Sequence, residues 1–584
     1  MSKFLFVVSN AEEFASAKKF FSEQAGKNCR AVFIFHVFYP DSGNPAGNEE
    51  FKNKLGFVSK KELEAIEEEA GFFARNWYLF DREFEKAITY RGINLGFLHE
   101  NEASLFFREI FTLVKAIGNA VEWENPGKII AFSGSLAGEC CAAVSKNREI
   151  VFLGAESAKR PEFPNLTAKK AREISRKLPK IIAELLGSGK GKGAETVFIR
   201  SRGYIGNVQK ALEKDSSLKV VSLDEFLLKT LLNPFKLAEF VSKRGGLEKK
   251  FLAAFENYEK SPAFEKKFFF EGTDFRKLFE IRFRGAVQRN WPEFGCLIDF
   301  LSGVFDSEKP KITVLWEDIT PFERICVLLA RQRGTKSIVM QHGVFNPVLK
   351  KGCWISGFAP VTADRIAVWG PRFEKSLSGH GVPREKIVVT GPPRFDKLKK
   401  NVFNPAGFRE KHGIKPEEKI ITIITHATFN NEDFKVIIEE AENYGGKKKI
   451  IVKLHPLENP SKYNNAAAGR ALIMQHTDLH ELLNATDAVI MQNSTAGLEA
   501  MILGKPVIVF ETKLRLAGSF NETGAVLRAK TRQELRKAIE TALDTEKKAL
   551  LGRKIREFVF DNAFEQDGKA TERAVRAIKE LMHE

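Results

Sequence analysis

The sequence predicts an α/β protein made of two facing Rossmann-like domains with parallel sheets. Short β-branched or Phe-rich runs alternate with longer helical patterns along most of the chain, as parallel sheets covered on both faces require. A length of 584 residues is too great for one ordinary core, so two or more domains are expected. The same alternation resumes after residue 370, with no repeat of solenoid period.

In chain order, Phe4–Ser9 and Ala31–Phe38 read as strands, with a helix over Glu12–Glu23 between them. Lys128–Phe132 is the next strand, followed by Ser133-Gly134-Ser135 and a helix of small residues, then the strand Glu149–Leu153. The Gly-rich stretch at 186–193 lacks the Ser or Thr after Lys that a P-loop needs, and reads as a loop before the strand Thr196–Arg200. Residues 223–305 are mainly helical. Strands follow at Lys311–Trp316, Ser337–Gln341 and Arg365–Trp369, with a helix over Pro321–Arg333. The second half carries strands at Ile387–Thr390, Ile420–Thr425, Lys449–Leu454, Ala488–Met491 and Pro506–Glu511, and ends in a helix over Thr571–His583. The expected division is therefore 1–369, with a helical insertion over 223–305, and 370–584.

Composition narrows the function. Hydrophobic residues at 43% and charged residues at 29% describe a globular chain. The first residues lack a signal-peptide cleavage pattern, and no stretch approaches the roughly 20 apolar residues of a membrane span. A cytoplasmic protein is expected, with a peripheral position at the inner membrane face open to it. Six scattered cysteines form no CxxC pair, so neither a zinc site nor a disulfide framework is expected. The net charge of +17 suits nucleic acid, an anionic membrane surface or a phosphorylated substrate, or a Lys/Glu-rich solvated surface. Nucleic acid is disfavoured: basic clusters interleaved with stacking aromatics are missing, and the 51 Phe residues lie in core-like patterns.

Ligands of open α/β sheets bind beyond the carboxyl ends of strands, so polar residues directly after apolar runs are the candidates. Lys453 and His455-Pro456 follow one such run, where an imidazole can donate to a phosphate oxygen or simply sit in a surface loop. Asn493, Ser494 and Thr495 precede a helix whose N–H groups form a phosphate cradle; Glu499, one turn in, is placed to accept ribose hydroxyls. The plainer reading makes Ser494 an N-cap and Glu499 a surface residue. Gln341-His342-Gly343 ends a strand of the first half, with His342 either facing the second domain or buried and satisfied. Glu317-Asp318 ends another, as a general base for an acceptor hydroxyl or as a cap for the helix at Pro321.

The order of the acidic pair, Gln341-His342-Gly343, Gly391-Pro392-Pro393-Arg394, His455-Pro456 and Ser494-Thr495…Glu499 resembles GT-B enzymes of surface-polysaccharide synthesis. The capsule and polysialyltransferase-type glycosyltransferases and the CDP-glycerol glycerophosphotransferases are the nearest in pattern, over about 311–510. The resemblance implies a GT-B fold with the C-terminal helix packing back, and a donor nucleotide on the C-terminal domain. It assigns the donor phosphates to His455, Ser494, Thr495 and the loop of Thr425 and His426, and the base to Glu317 or Asp318 beside His342. Gln341, Gly343, Gly391 and Arg394 would line the cleft. No cofactor and no metal are implied. The expected activity is transfer of a sugar from a nucleotide-sugar to a glycan or lipid-linked acceptor. The alternatives are transfer of a polyol phosphate from a CDP-linked donor, or a nonhydrolysing UDP-N-acetylglucosamine 2-epimerase, whose catalytic residues are not evident at the strand ends.

Overall fold

The computed structural model describes residues 2–24, 29–36, 49–144, 148–153, 194–201, 205–225, 234–344, 362–399, 403–425, 431–456, 458–467, 469–492, 494–510, 520 and 524–584. The 186–193 loop, His426, Asn493 and Cys353 lie outside them.

Three parallel sheets, not two, organise these residues. The N-terminal sheet runs, in spatial order, Glu49–Asn53, Cys29–Phe35, Ser2–Val8, Lys128–Phe132 and Ile150–Leu153. The middle sheet runs Ile387–Val389, Arg365–Val368, Lys336–Met340, Ile312–Leu315, Glu195–Arg200 and Leu218–Ser222. The C-terminal sheet runs Leu472–Met474, Lys448–Lys453, Lys419–Ile424, Ala488–Met491, Val507–Phe510 and Leu527–Ala529. The single Rossmann-like unit expected over 1–369 is thus two sheets, because Ile312 pairs with Val197 and not with the strands before residue 154. The strand at Ile387, expected to open the second half, pairs with Ile366, so the middle sheet extends past residue 370.

Helices fill the space between the first two sheets. Lys60–Asn76, Glu100–Glu124, Pro234–Glu259 and Arg276–Glu308 share one core with Leu5, Val7, Val32 and Ile34 of the N-terminal sheet and Phe198, Leu315 and Val339 of the middle sheet. Aromatic rings dominate it: Phe279 stacks on Phe283 at 4.2 Å, and Phe73 meets Phe107, Phe111 and Phe275 with ring centroids 5.3, 5.5 and 5.3 Å apart. Each buried ring contributes roughly 1.5–3 kcal/mol by burial, with about 0.5–1.5 kcal/mol more per well-placed pair. The helical insertion therefore joins two sheets through its own core.

The chain returns at its C-terminus. Thr545–Ala563 packs into a core shared by Ile366, Val368 and Phe373 of the middle unit and Val489, Met491 and Leu498 of the C-terminal one. Ala570–His583 then lays Ala574, Ala577, Ile578 and Leu581 against Val197, Ile199, Ile312 and Ile338. This is the expected return helix, and it makes the middle and C-terminal sheets a facing GT-B pair. No helix among the described residues is long and apolar enough to cross a membrane.

Gly370, just past the strand Arg365–Val368, has no room for a side chain. A Cβ there would stand 2.3 Å from the Asp561 carbonyl oxygen, and backbone cannot yield as a side chain can. Gly370→Ala is expected to destabilise by about 1–3 kcal/mol and lower the urea midpoint. Gly379→Ala, with nothing within 4 Å, should leave that midpoint within error of wild type or higher.

Candidate functional site

In the C-terminal sheet the strand order reverses between Lys419–Ile424 and Ala488–Met491, and ligand crevices open at such reversals. Thr425 ends the first of these strands. Its hydroxyl donates to Glu458 Oε2 at 2.6 Å, and the same oxygen accepts the His455 N–H at 3.0 Å. Tyr463 donates its hydroxyl to the other oxygen, so one buried carboxylate fixes the turn that presents His455 and Pro456, both exposed. Glu458 carries no motif, and its role became visible only in the fold. Lys453 is buried, its ammonium donating to the carbonyls of Gln475 at 2.6 Å and Leu454 at 3.2 Å, and burial lowers its pKa.

Across the reversal, Ser494 caps the helix Thr495–Ile502 and accepts from the Ala496 N–H at 3.3 Å. The N-cap reading holds, and the Gly497 N–H is also taken, by the Ser494 carbonyl at 3.0 Å; what the helix still offers beyond the strand end is the partial positive charge of its N-terminus. Glu499 is buried and is not a surface residue. One of its oxygens receives Arg394 at 3.0 Å and the other contacts His480 Nε2, so both are held by protein. His480 was not singled out in the sequence; its only local signal is the N-cap Asp478 two residues earlier.

The middle sheet supplies the facing wall. Its order reverses between Glu195–Arg200 and Ile312–Leu315, and the second strand delivers Trp316, Glu317 and Asp318. Glu317 is 3% exposed, and burial, aided by the neighbouring Glu323, raises its pKa to about 8. Glu323 itself is held by Arg200 at 2.6 Å and by the Trp316 indole at 2.7 Å. Asp318 is fully buried and uses one oxygen to accept from Thr362 N and Oγ1 (2.6 and 2.8 Å) and Ala363 N (3.3 Å). It ties down the approach to the strand Arg365–Val368 and does not cap the helix at Pro321.

His342 lies against Trp316, ring centroids 4.6 Å apart, with Nδ1 3.1 Å from the Trp316 carbonyl oxygen. That acceptor requires Nδ1–H, which makes Nε2 the basic nitrogen. Burial, opposed by the Trp316 carbonyl and aided by Arg394, lowers its pKa to about 4, so the ring is neutral at pH 7. Gln341 is buried: its amide donates to the Gly343 carbonyl at 2.8 Å and accepts the Trp369 N–H at 2.7 Å, shaping the turn and not lining the cleft. Gly343 does line it, since a Cβ there would come 4.0 Å from Thr495 Oγ1 of the facing unit. Arg394 spans the same gap, donating to the His342 carbonyl at 3.4 Å as well as to Glu499. Gly391 lies elsewhere, packed against Ala570 and Arg573 of the return helices.

Thus His342, Gly343 and Arg394 meet Thr495 and Glu499 between the two sheets, with Glu317 buried behind and Thr425, Lys453 and His455 at the next strand ends. Among the described residues no group of three or more His, Cys, Asp or Glu is placed to hold a metal ion.

Residues 375–580, about a third of the chain, match the model of the CDP-glycerol:poly(glycerophosphate) glycerophosphotransferase family. The match spans Thr425, Lys453, His455, Ser494, Thr495 and Glu499. Fold and match together make the chain a GT-B-type transferase. Among solved structures, a putative UDP-N-acetylglucosamine 2-epimerase from Listeria monocytogenes is similar at 17% identity and TM-score 0.42, covering 67% of this chain and 96% of its own. The UDP-GlcNAc 2-epimerase of Neisseria meningitidis is similar at 15% identity and 0.42, covering 66% and 99%. The wall teichoic acid polymerase TagF is similar at 13% identity and 0.38, covering 72% and 98%. A comparison with curated proteins gives no significant match.

The raised pKa of Glu317 makes a stability prediction. The folded chain holds this proton between the ordinary carboxylate range and about pH 8, whereas the unfolded chain releases it. Stability from this group is therefore complete below about pH 4.5 and is lost progressively up to about pH 8. Glu317→Gln should flatten that part of the pH–stability profile and raise the melting temperature relative to wild type at pH 8, read by thermal denaturation across pH.

Proposed function

We propose that the chain transfers a polyol phosphate from a CDP-linked donor to a hydroxyl of a cell-surface polymer or its lipid-linked precursor. The family match over residues 375–580 carries this reading, because it covers the strand ends and helix N-terminus suited to phosphate. In the reaction the acceptor oxygen attacks the phosphorus that bears the polyol. A new P–O bond forms, the bond to CMP breaks, and CMP leaves with the bridging oxygen.

His342 Nε2 takes the acceptor proton. The ring is neutral at pH 7, oriented by the Trp316 carbonyl, and placed on the wall opposite the donor helix. Thr495, the first-turn N–H groups of its helix and His455 bind the diphosphate, and Arg394 stabilises charge gathering in the gap. Glu499 and Glu458 position Arg394 and His455 respectively. Anionic membrane lipids fit the net charge of +17 as a docking surface near a lipid-linked acceptor.

A thermal-shift panel of CMP, CDP, UDP and GDP on wild type and His455→Ala tests the donor class. CMP and CDP should stabilise wild type, by about 2.7 kcal/mol at a concentration about 100-fold above Kd, and His455→Ala should lose most of the shift. Stabilisation by UDP alone would instead favour transfer of a sugar, and no shift with any of the four would remove the nucleotide-donor reading. His342→Ala should keep the nucleotide shift while turnover, read as CMP release, falls about 10²–10⁴-fold. Full turnover in that variant would take the proton transfer away from His342.

A further inference from the structure

The N-terminal sheet has a reversal of its own, outside both the family match and the cleft. Its connections turn opposite ways from Ser2–Val8 and Lys128–Phe132, which pair side by side. Four adjacent strands deliver polar residues at this one edge. Ser9 and Asn10 follow Val8, His36 follows Phe35, Lys54 follows Asn53, and Ser133-Gly134-Ser135 follows Phe132. Over the edge, Glu100–Glu124 contributes Arg108 and Glu109, and Arg276–Glu308 contributes Arg282.

These groups face one another. His36 Nε2 is 3.0 Å from Glu109 Oε1, and its Nδ1 is 3.5 Å from Ser9 Oγ. Glu109 is also within electrostatic reach of Lys54 and Arg282. Arg108 pairs with Glu67 at 3.4 Å, Glu13 binds the Ser9 N–H at 2.7 Å, and Glu139 pairs with Lys277 at 3.4 Å, so those carboxylates are already engaged. Lys54 is different. Its side chain is half-buried, yet it has neither a hydrogen bond nor a carboxylate within 4.0 Å among the described residues. Burial lowers the pKa of both Lys54 and Arg282, the condition that an anion would relieve.

The helix Leu136–Val144 completes the edge. Ser135 Oγ accepts the Gly138 N–H at 2.9 Å and donates to the Phe132 carbonyl at 3.0 Å. A Cβ on Gly138 would stand 2.1 Å from that carbonyl oxygen, so only glycine lets the helix lie this close to the strand end. Its N-terminus therefore begins directly at the end of the strand Lys128–Phe132, one of the two strands of the reversal.

We propose that this crevice is a second ligand site, binding the phosphate groups of a small phosphorylated molecule. Lys54 and Arg282 supply charge, the N-terminus of Leu136–Val144 supplies N–H donors, and His36, oriented by Glu109 and Ser9, bounds the pocket. The site is separate from the donor site of the C-terminal sheet and does not depend on what that site transfers.

Hydrogen exchange of the full chain with and without sodium pyrophosphate tests it. Pyrophosphate should slow exchange in peptides covering residues 9–14, 54–59 and 132–140. In Lys54→Met, and independently in Arg282→Gln, the concentration needed for that protection should rise about tenfold or more. Peptides over 491–500 report the donor site separately and should respond equally in wild type and both variants. Parallel titrations with ADP and glycerol 3-phosphate assign the source of the phosphate: tighter protection by ADP marks a nucleotide, tighter protection by glycerol 3-phosphate a polyol or sugar phosphate. Absence of protection in the three segments at saturating pyrophosphate, or equal protection in wild type and both folded variants, would overturn the site.

Discussion

Arg394 fixes the geometry on which the transferase cleft depends. Its guanidinium joins the His342 carbonyl of one wall to Glu499 of the other, lying against the rings of Trp369 and Phe395 at 5.1 and 4.7 Å. Glu499 is in turn held by His480, so a buried carboxylate has two cationic or donor partners and no exposed oxygen to spare. Removing one member of such a network leaves an uncompensated buried charge, a far larger penalty than the loss of one surface ion pair. The hydrophobic core shared by the two units brings the walls together, and the Arg394 network sets their register.

The three sheets solve one problem in the same way. Each packs apolar strands, each reverses its strand order once, and each places polar side chains at the reversal. At the middle sheet the pattern carries an added constraint. Arg200, Glu323, Asp224 and the Trp316 indole form a buried network directly beneath Glu317. Burial and the nearby Glu323 raise the Glu317 pKa, and Arg200, already paired with Asp224 and Glu323, opposes them only in part.

What the sequence made legible follows from burial. Strands such as Ile312–Leu315, Lys419–Ile424, Ala488–Met491 and Val507–Phe510 lie inside their sheets, and their unbroken apolar runs announce them. Glu49–Asn53, Leu218–Ser222, Leu472–Met474 and Leu527–Ala529 escaped notice because edge strands are short and polar or half-exposed. Alternation reveals strands but not which sheet they join, so the third sheet and the membership of Ile387–Val389 appeared only in the pairing. At the site, strand-end motifs located His342, His455 and Ser494-Thr495. They could not show that Gln341 and Glu499 spend their polar atoms on the protein and Asp318 one of its oxygens, nor that Glu458 and His480 are the partners that hold the loops.

The protonation states give the cleft its electrostatic character. Burial acts on both kinds of titrating group, and in each it favours the uncharged form. It keeps the Glu317 proton at pH 7, raises the Asp318 pKa against the pull of its three donors, and keeps His342 neutral. With the Glu317 proton retained, the wall that carries the acidic pair presents one negative charge fewer at pH 7. Arg394 remains charged at any physiological pH, and the first turn of Thr495–Ile502 adds its partial positive charge from the opposite side. In the proposed reaction, a diphosphate between the walls would meet Arg394 and the helix N-terminus with the Glu317 charge removed, and the neutral His342 imidazole would accept the proton. Low dielectric would thus serve both steps of the proposed reaction in the same place.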